Sequence, residues 1–94
     1  MKWIELIVVR ATDNRHKPTV RQLVDQLIQN KGPKGIKGAT LYHNAFVETD
    51  LGIHIQWEVD GAVPAKSDRG IELAAALEGF GRIHHTIWVA DETI

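Results

Sequence analysis

The segment Trp3–Arg10 constrains the fold more than any other part of this sequence. It is rich in β-branched residues, and both of its alternating sets of side chains are largely apolar. Such a strand is typical of the centre of a sheet that is covered on both faces. A chain of 94 residues can build one small core. Stability must therefore come from tight packing of that core or from a partner subunit.

The remaining hydrophobic pattern predicts two helices and three further strands. Apolar residues at helical spacing predict a helix over Val20–Gln29, with Thr19 and Gln22 as its capping box. A second helix is expected after Ser67, its N-cap, and before Gly81, its C′ residue. The three further strands are predicted over Ala39–Val47, Ile53–Val59 and Arg82–Ala90.

The element order β-α-β-β-α-β is that of a ferredoxin-like α+β fold. It predicts one domain over residues 1–94, with a four-stranded antiparallel sheet and both helices on one face. Alternation predicts that Trp57 and His85 point towards the helices, whereas His54, His84 and Trp88 lie on the helix-free face. The first strand has no wholly polar set, so that free face also carries apolar side chains. A homodimer whose sheets meet face to face is predicted.

Composition excludes several classes of protein. The chain has no cysteine, which rules out disulfides, thiolate metal sites and thiol nucleophiles. Its apolar runs are much shorter than the roughly 20 residues that cross a bilayer, and its first residues lack the pattern of a signal peptide. We therefore expect a cytoplasmic protein without a membrane partner. The formal net charge is −1 and no basic stripe is evident, so nucleic acid is not predicted as a partner either.

Neither the histidines nor the lysines form a convincing ion site. His84 and His85 are adjacent on a strand and leave it on opposite faces, and His54 is expected about 9.5 Å from His84. No metal and no cofactor are predicted. Residues 30–38 read NKGPKGIKG. The lysines of this turn-rich loop, Lys31, Lys34 and Lys37, could hold an anion. They are interpreted as solvated, because no Walker pattern accompanies them.

The aromatic and imidazole side chains are the best candidates for a ligand site. An apolar cleft between helices and sheet is predicted, in which His85 is the titratable group and a usable general base. The residues expected to line it are Trp57, His85, Leu27, Leu73 and Phe80. The alternative is that these residues only fill the core, with the indole and imidazole nitrogens satisfied locally.

The element order and the segments GIKGATLYHN and HIQWEVD resemble the antibiotic biosynthesis monooxygenase group of the dimeric α/β-barrel superfamily. This resemblance implies that two subunits pair through their sheets. It also implies oxidation of small aromatic substrates by molecular oxygen without metal or flavin, although some members degrade haem. Trp57 matches a pocket-lining tryptophan of the group. The asparagine that catalytic members carry near strand one has no counterpart in Trp3–Arg10, and their histidine after strand three has none in Gly61–Gly70.

The sequence therefore predicts a small-molecule-binding homodimer, which as an enzyme would be a cofactor-independent monooxygenase of small aromatic or polyketide-like substrates. His85 is the predicted catalytic base. The predicted substrate-binding residues are Trp57, Trp88, Tyr42, His43 and Phe80. Two alternatives stay open: a non-enzymatic dimeric binding or regulatory module, and a protein that binds or degrades haem.

Overall fold

The sheet has the predicted topology. The structure, a computed structural model, describes residues 2–29, 35–61 and 64–91. Its elements are β1 (Lys2–Arg10), α1 (Lys17–Gln29), β2 (Ile36–His43), β3 (Asp50–Glu58), α2 (Asp68–Leu77), a 3₁₀ turn (Glu78–Phe80) and β4 (Arg82–Val89). The strand order is β2-β3-β1-β4, and all neighbouring strands are antiparallel. The predicted ferredoxin-like fold is confirmed, with β1 in the interior of the sheet.

Side-chain alternation gives the sheet two different faces. On one face, which we call the helix face, strand side chains pack with the two helices into a single core. Its buried apolar members are Trp3, Ile7, Val9, Val20, Val24, Leu27, Leu51, Ile53, Ile55, Trp57, Leu73 and Leu77. The opposite face, which we call the open face, carries side chains that neither helix covers. It comprises Lys2, Ile4, Leu6, Val8, Arg10, Thr40, Tyr42, His54, Gln56, Glu58, His84, Thr86 and Trp88.

Helix α1 begins at Lys17 rather than at Val20. The backbone N–H of Val20 donates to the carbonyl oxygen of His16 at 2.9 Å, which is already a helical hydrogen bond. Thr19 therefore lies inside the helix, and the capping box predicted for it is wrong. Pro18 fits in the first turn because N–H groups there have no partner within the helix.

The hairpin between β2 and β3 turns earlier than predicted. β2 ends at His43 rather than Val47 because the side-chain oxygen of Asn44 accepts hydrogen bonds from the N–H groups of Phe46 and Val47, at 2.8 and 3.1 Å. β3 consequently begins at Asp50. Residues 36–38 of the predicted glycine-rich loop belong to β2, while 30–34, with Lys31 and Lys34, lie outside the described residues.

The two ends of α2 illustrate one confirmed and one wrong prediction. Ser67 is the N-cap, as predicted, and its hydroxyl oxygen accepts a hydrogen bond from the N–H of Gly70 at 2.9 Å. Gly81 is not the C′ residue of α2, because the 3₁₀ turn lies between them, and its backbone is extended with φ 167°. Glycine is required there for space instead, since a Cβ would overlap the carbonyl oxygen of Arg10. No helix within the described residues is long and apolar enough to cross a membrane.

Candidate functional site

A carboxylate lies in the middle of the core. Glu5 points from β1 to the helix face between Trp3 and Ile7, and its side chain is 0% exposed. Burying an unpaired carboxylate costs far more than burying an apolar side chain, so such a group persists only with partners. The partners of Glu5 therefore identify the polar centre of this fold.

Four hydrogen bonds converge on the Glu5 carboxylate. Oε1 accepts from the indole Nε1 of Trp57 at 3.1 Å and from the hydroxyl of Ser67 at 2.7 Å. Oε2 accepts from the backbone N–H of Ser67 at 3.1 Å and lies 2.6 Å from Nε2 of His85. We call these four residues the Glu5 cluster. They come from β1, β3, the N-cap of α2 and β4, so the cluster connects four separate segments of the chain.

Strand register explains why these side chains meet. Glu5 lies opposite Ile55 on β3 and Ile87 on β4. Trp57 and His85 are therefore the next residues on the same face of the two neighbouring strands, on opposite sides of Glu5. Diagonal neighbours of this kind are within reach of long side chains.

The contact between Glu5 and His85 is short and dry. The side chain of His85 is 8% exposed, and that of Glu5 is fully buried. A distance of 2.6 Å between the imidazole nitrogen and the carboxylate oxygen is typical of a charge-assisted hydrogen bond. The predicted orientation of His85 towards the helices is confirmed. With Nε2 directed at Glu5, Nδ1 is the ring nitrogen left to contact another group.

Gly70 is part of the same arrangement although it contributes no side chain. It lies in the first turn of α2, and a Cβ at this position would overlap the Glu5 carboxylate. The glycine lowers helix propensity in that turn. It also lets the start of α2 approach the carboxylate closely enough for Ser67 to donate twice.

Two stacked indoles flank the cluster. The rings of Trp3 and Trp57 are 6.0 Å apart at their centroids and nearly parallel, with an interplanar angle of 9°. The indole Nε1 of Trp57 is satisfied by Glu5, whereas that of Trp3 is buried without a hydrogen-bond partner. The indole stack thus presents one satisfied and one unsatisfied donor.

The five residues of the predicted cleft do not surround one cavity. A cavity of about 420 Å³ at one end of the sheet is lined by Trp57 together with Trp88, Lys2, Gln56 and others. A separate groove of about 190 Å³ between the two helices is lined by Leu27 and Leu73. A third cavity, of about 300 Å³, lies at the other end of the open face. His85 and Phe80 line none of these three.

The other predicted binding residues lie at two further places. On the open face, Tyr42 is 48% exposed and tilts over the ring of His54, with 4.5 Å between centroids, and Tyr42, His43 and His54 all line the 300 Å³ cavity. Burial lowers the pKa of His54. Phe80 instead stacks on His16 at a centroid distance of 4.6 Å, beyond the end of α2.

Trp88 is the most exposed of the three tryptophans. It is 58% exposed on the open face, and its Nε1 donates to the hydroxyl of Thr86 at 2.9 Å. Of the predicted binding residues, the structure brings only Trp57 and Trp88 together around the larger cavity.

Sequence reasoning missed Glu5 as a functional residue. The available signal was a single charge within the helix-facing set of β1, whose other members are Trp3, Ile7 and Val9. A charge in such a set requires a buried partner. Across the described ranges, no group of three or more histidine, aspartate or glutamate side chains is arranged to hold a metal ion.

Comparison with known proteins identifies the fold but not the family. No protein-family model and no curated protein matches the sequence. Among solved structures, Rv0793 from Mycobacterium tuberculosis is similar with a TM-score of 0.66 and 13% identity, over 99% of this chain and 98% of the other. A conserved protein from Methanosarcina mazei Go1 has a TM-score of 0.67 and 14% identity, over 94% and 91%.

A third similar structure carries the name of the group that the sequence resembles. It is a Deinococcus radiodurans protein provisionally named as an antibiotic biosynthesis monooxygenase, with a TM-score of 0.65 and 16% identity over 100% of this chain and 96% of the other. At these identities the similarity establishes a common fold. The resemblance stated from the sequence is confirmed at that level.

Proposed function

We propose that this protein is a homodimeric α/β-barrel protein that binds a small aromatic or apolar molecule and oxidises it with molecular oxygen, without a cofactor. The observation that carries the proposal is the buried Glu5–His85 pair. The same carboxylate accepts a hydrogen bond from the indole of Trp57, which lines the cavity of about 420 Å³. Proton removal from such a substrate requires a general base, and His85 is the candidate for it.

The open face supports the dimer. Ile4, Leu6 and Val8 are only partly buried there, and Trp88 and Tyr42 are 58% and 48% exposed. A contiguous apolar surface of this kind is typical of an interface. A second copy of the chain offers the same surface, and two sheets pack face to face about 10 Å apart. The pairing of sheets implied by the family resemblance agrees with this arrangement.

The size and lining of the larger cavity support an aromatic ligand. Its volume of about 420 Å³ is within the range of roughly 300–1,000 Å³ that is typical of small-molecule sites. Trp57 and Trp88 provide flat apolar surface. The polar lining consists of the charged Lys2, Lys37 and Glu58 and the amide of Gln56. A ligand with two or three fused rings and a polar oxygen fits this description.

The proposed reaction begins with proton transfer to His85. Its Nδ1 takes a proton from a substrate carbon that an adjacent carbonyl or phenol acidifies, while Glu5 balances the charge of the imidazolium. The carbanion transfers one electron to O₂, and the two radicals combine into a peroxide anion. His85 returns its proton and gives the hydroperoxide. Loss of water, formed from the terminal OH and the second hydrogen of the same carbon, leaves a carbonyl product. One oxygen atom enters the product and the other leaves as water, so the balance is RH₂ + O₂ → RO + H₂O.

Aerobic turnover of anthrone-like and quinol-like compounds tests this proposal. The wild-type protein is expected to consume one O₂ per substrate in an oxygen electrode. His85→Gln is expected to reduce the rate by at least about 10²-fold, the usual contribution of a general base. His84→Gln is the matched control, because it makes the same change at the neighbouring residue, whose side chain lies on the open face. The absence of turnover by the folded wild-type dimer would contradict the enzymatic proposal.

A non-enzymatic binding module is the second candidate. It is favoured by one observation: His85 lines none of the three cavities described above. In that case the same aromatic compounds quench tryptophan fluorescence on binding but no oxygen is consumed. Haem binding stays a prediction, and titration with haemin while the Soret band is recorded tests it separately.

A further inference from the structure

We infer that Glu5 is a positioning residue that holds His85 in the tautomer with its proton on Nε2, which leaves the lone pair of Nδ1 as the basic site. The catalytic consequence of this inference rests on the proposed function. The tautomer itself is a property of the folded chain and can be measured without any substrate.

The donors around the carboxylate determine where the shared proton lies. An indole N–H and a backbone N–H can only donate, so Trp57 and the Ser67 backbone both require an acceptor. The Ser67 hydroxyl already accepts from Gly70 N–H and donates its own proton to Glu5. Three donors besides His85 thus favour Glu5 as an acceptor on both oxygens. We therefore assign the proton between Oε2 and Nε2 to the imidazole.

The start of α2 reinforces the same state. Ser67 places the N-terminus of this ten-residue helix against Glu5, and unpaired N–H groups give such a terminus a partial positive charge. The absence of a Cβ at Gly70 permits this approach. A carboxylate is stabilised in that position, whereas a neutral carboxylic acid gains little.

Glu5→Gln is expected to reverse the tautomer. With its NH₂ group in the place of Oε2, the amide opposes one donor, Ser67 N–H, and donates to Nε2 of His85. With its NH₂ group in the place of Oε1, it opposes the Trp57 indole and forces the Ser67 hydroxyl to turn and accept instead of donate. The first arrangement keeps both of these hydrogen bonds and transfers the imidazole proton to Nδ1. A carboxylate-to-amide change that yields the wrong histidine tautomer is known from the serine protease triad.

The test is the ring ¹⁵N spectrum of His85 in protein labelled at histidine, recorded at about pH 8, where an ordinary histidine is neutral. His85→Gln assigns the resonance by its loss. The wild-type spectrum is expected to show protonated Nε2 and unprotonated Nδ1, and Glu5→Gln the reverse. Ser67→Ala is the control, because it removes a hydrogen bond from the same carboxylate without altering the contact with His85.

Two outcomes overturn the inference: a wild-type His85 that carries a proton on Nδ1, or a Glu5→Gln protein, folded by circular dichroism, that retains the wild-type tautomer. If Glu5→Gln does not fold, the wild-type spectrum alone decides. In the turnover assay, Glu5→Gln is expected to lower kcat by about 10²-fold with little change in KM. If the tautomer is as inferred and the wild type shows no turnover, the proposed reaction fails and the inference stands. If turnover occurs with Nδ1 protonated, the inference fails and the protein is still an enzyme.

Discussion

The same strands form two faces of the sheet that differ in character: one buries a charged side chain, and the other exposes apolar side chains. The helix face is almost wholly apolar, yet it contains the carboxylate of Glu5. Each oxygen of that carboxylate has two hydrogen-bond partners. The open face is half exposed and also apolar along its centre, where Ile4, Leu6 and Val8 alternate with the buried set of β1. A polar group is tolerated in a core when several elements are arranged around it. The helices of the same chain do not cover the apolar side chains of the open face. We propose that a second subunit covers them.

Removal of the buried carboxylate is expected to have the largest effect. Glu5→Ala leaves the donors of Trp57, Ser67 and His85 without an acceptor, and breaking a buried pair costs about 3–5 kcal/mol of unfolding free energy. Urea denaturation measures this loss. Glu48→Ala, which changes an exposed carboxylate in the hairpin turn, is the control and is expected to stay within about 0.5 kcal/mol. Similar losses in the two variants would show that the Glu5 cluster is not a special feature of the helix face.

A change on the open face is expected to affect association rather than folding. Trp88→Ala removes the largest exposed apolar side chain of that face. Loss of an aromatic anchor from an interface typically costs about 2 kcal/mol of binding free energy, or a roughly 30-fold higher dimer Kd. Sedimentation equilibrium measures it. Phe46→Ala is the control, because Phe46 is 97% exposed but lies in the hairpin turn. A dimer weakened equally by both changes would contradict the assignment of the interface to the open face.

The close approach of α2 to Glu5 gives a smaller effect. Gly70→Ala places a methyl group against the carboxylate, and overpacking of this kind costs about 1–3 kcal/mol. Gly79→Ala is the matched control, since a Cβ there meets nothing within 4 Å. Thermal unfolding compares the two. Equal stability of both variants would mean that α2 can move away from the Glu5 cluster without loss.

The smallest expected effect is a dependence of stability on pH through His54. Burial lowers the pKa of His54 below the ordinary value of 6.5. As the pH falls below 6.5, the unfolded chain therefore binds a proton that the folded chain does not yet bind, and the unfolding free energy decreases until the folded pKa is passed. His54→Gln removes this contribution. Urea denaturation of both proteins above and below pH 6.5 is expected to show a shallower decrease for the variant, and parallel decreases would contradict it.

Features that depend on periodicity, such as the face on which a side chain lies, could be predicted from the sequence. Features that depend on single hydrogen bonds, such as the ends of helices and strands, could not. Alternation placed Trp57 and His85 on the helix face and Trp88 on the open face, because a strand has only two sides. The end of β2 depends on one side chain, Asn44, and the start of α1 on one bond to His16, and neither changes the hydrophobic pattern.

Only part of the candidate site could be predicted from the sequence. His85 was predicted because it is an imidazole among apolar residues, whereas Glu5 was missed because the strand around it is apolar overall. The distance between Glu5 and Ser67 in the sequence hides their contact, which only the packing of α2 on β1 creates. The need for glycine at position 70 likewise comes from the contact with Glu5 and not from the sequence of α2.

The central claim is that a second copy of the chain covers the open face. Sedimentation equilibrium of the unmodified protein at micromolar concentration tests it most directly. We predict a single species with twice the 10.5 kDa mass of one chain. A stable species of 10.5 kDa across that concentration range would contradict it.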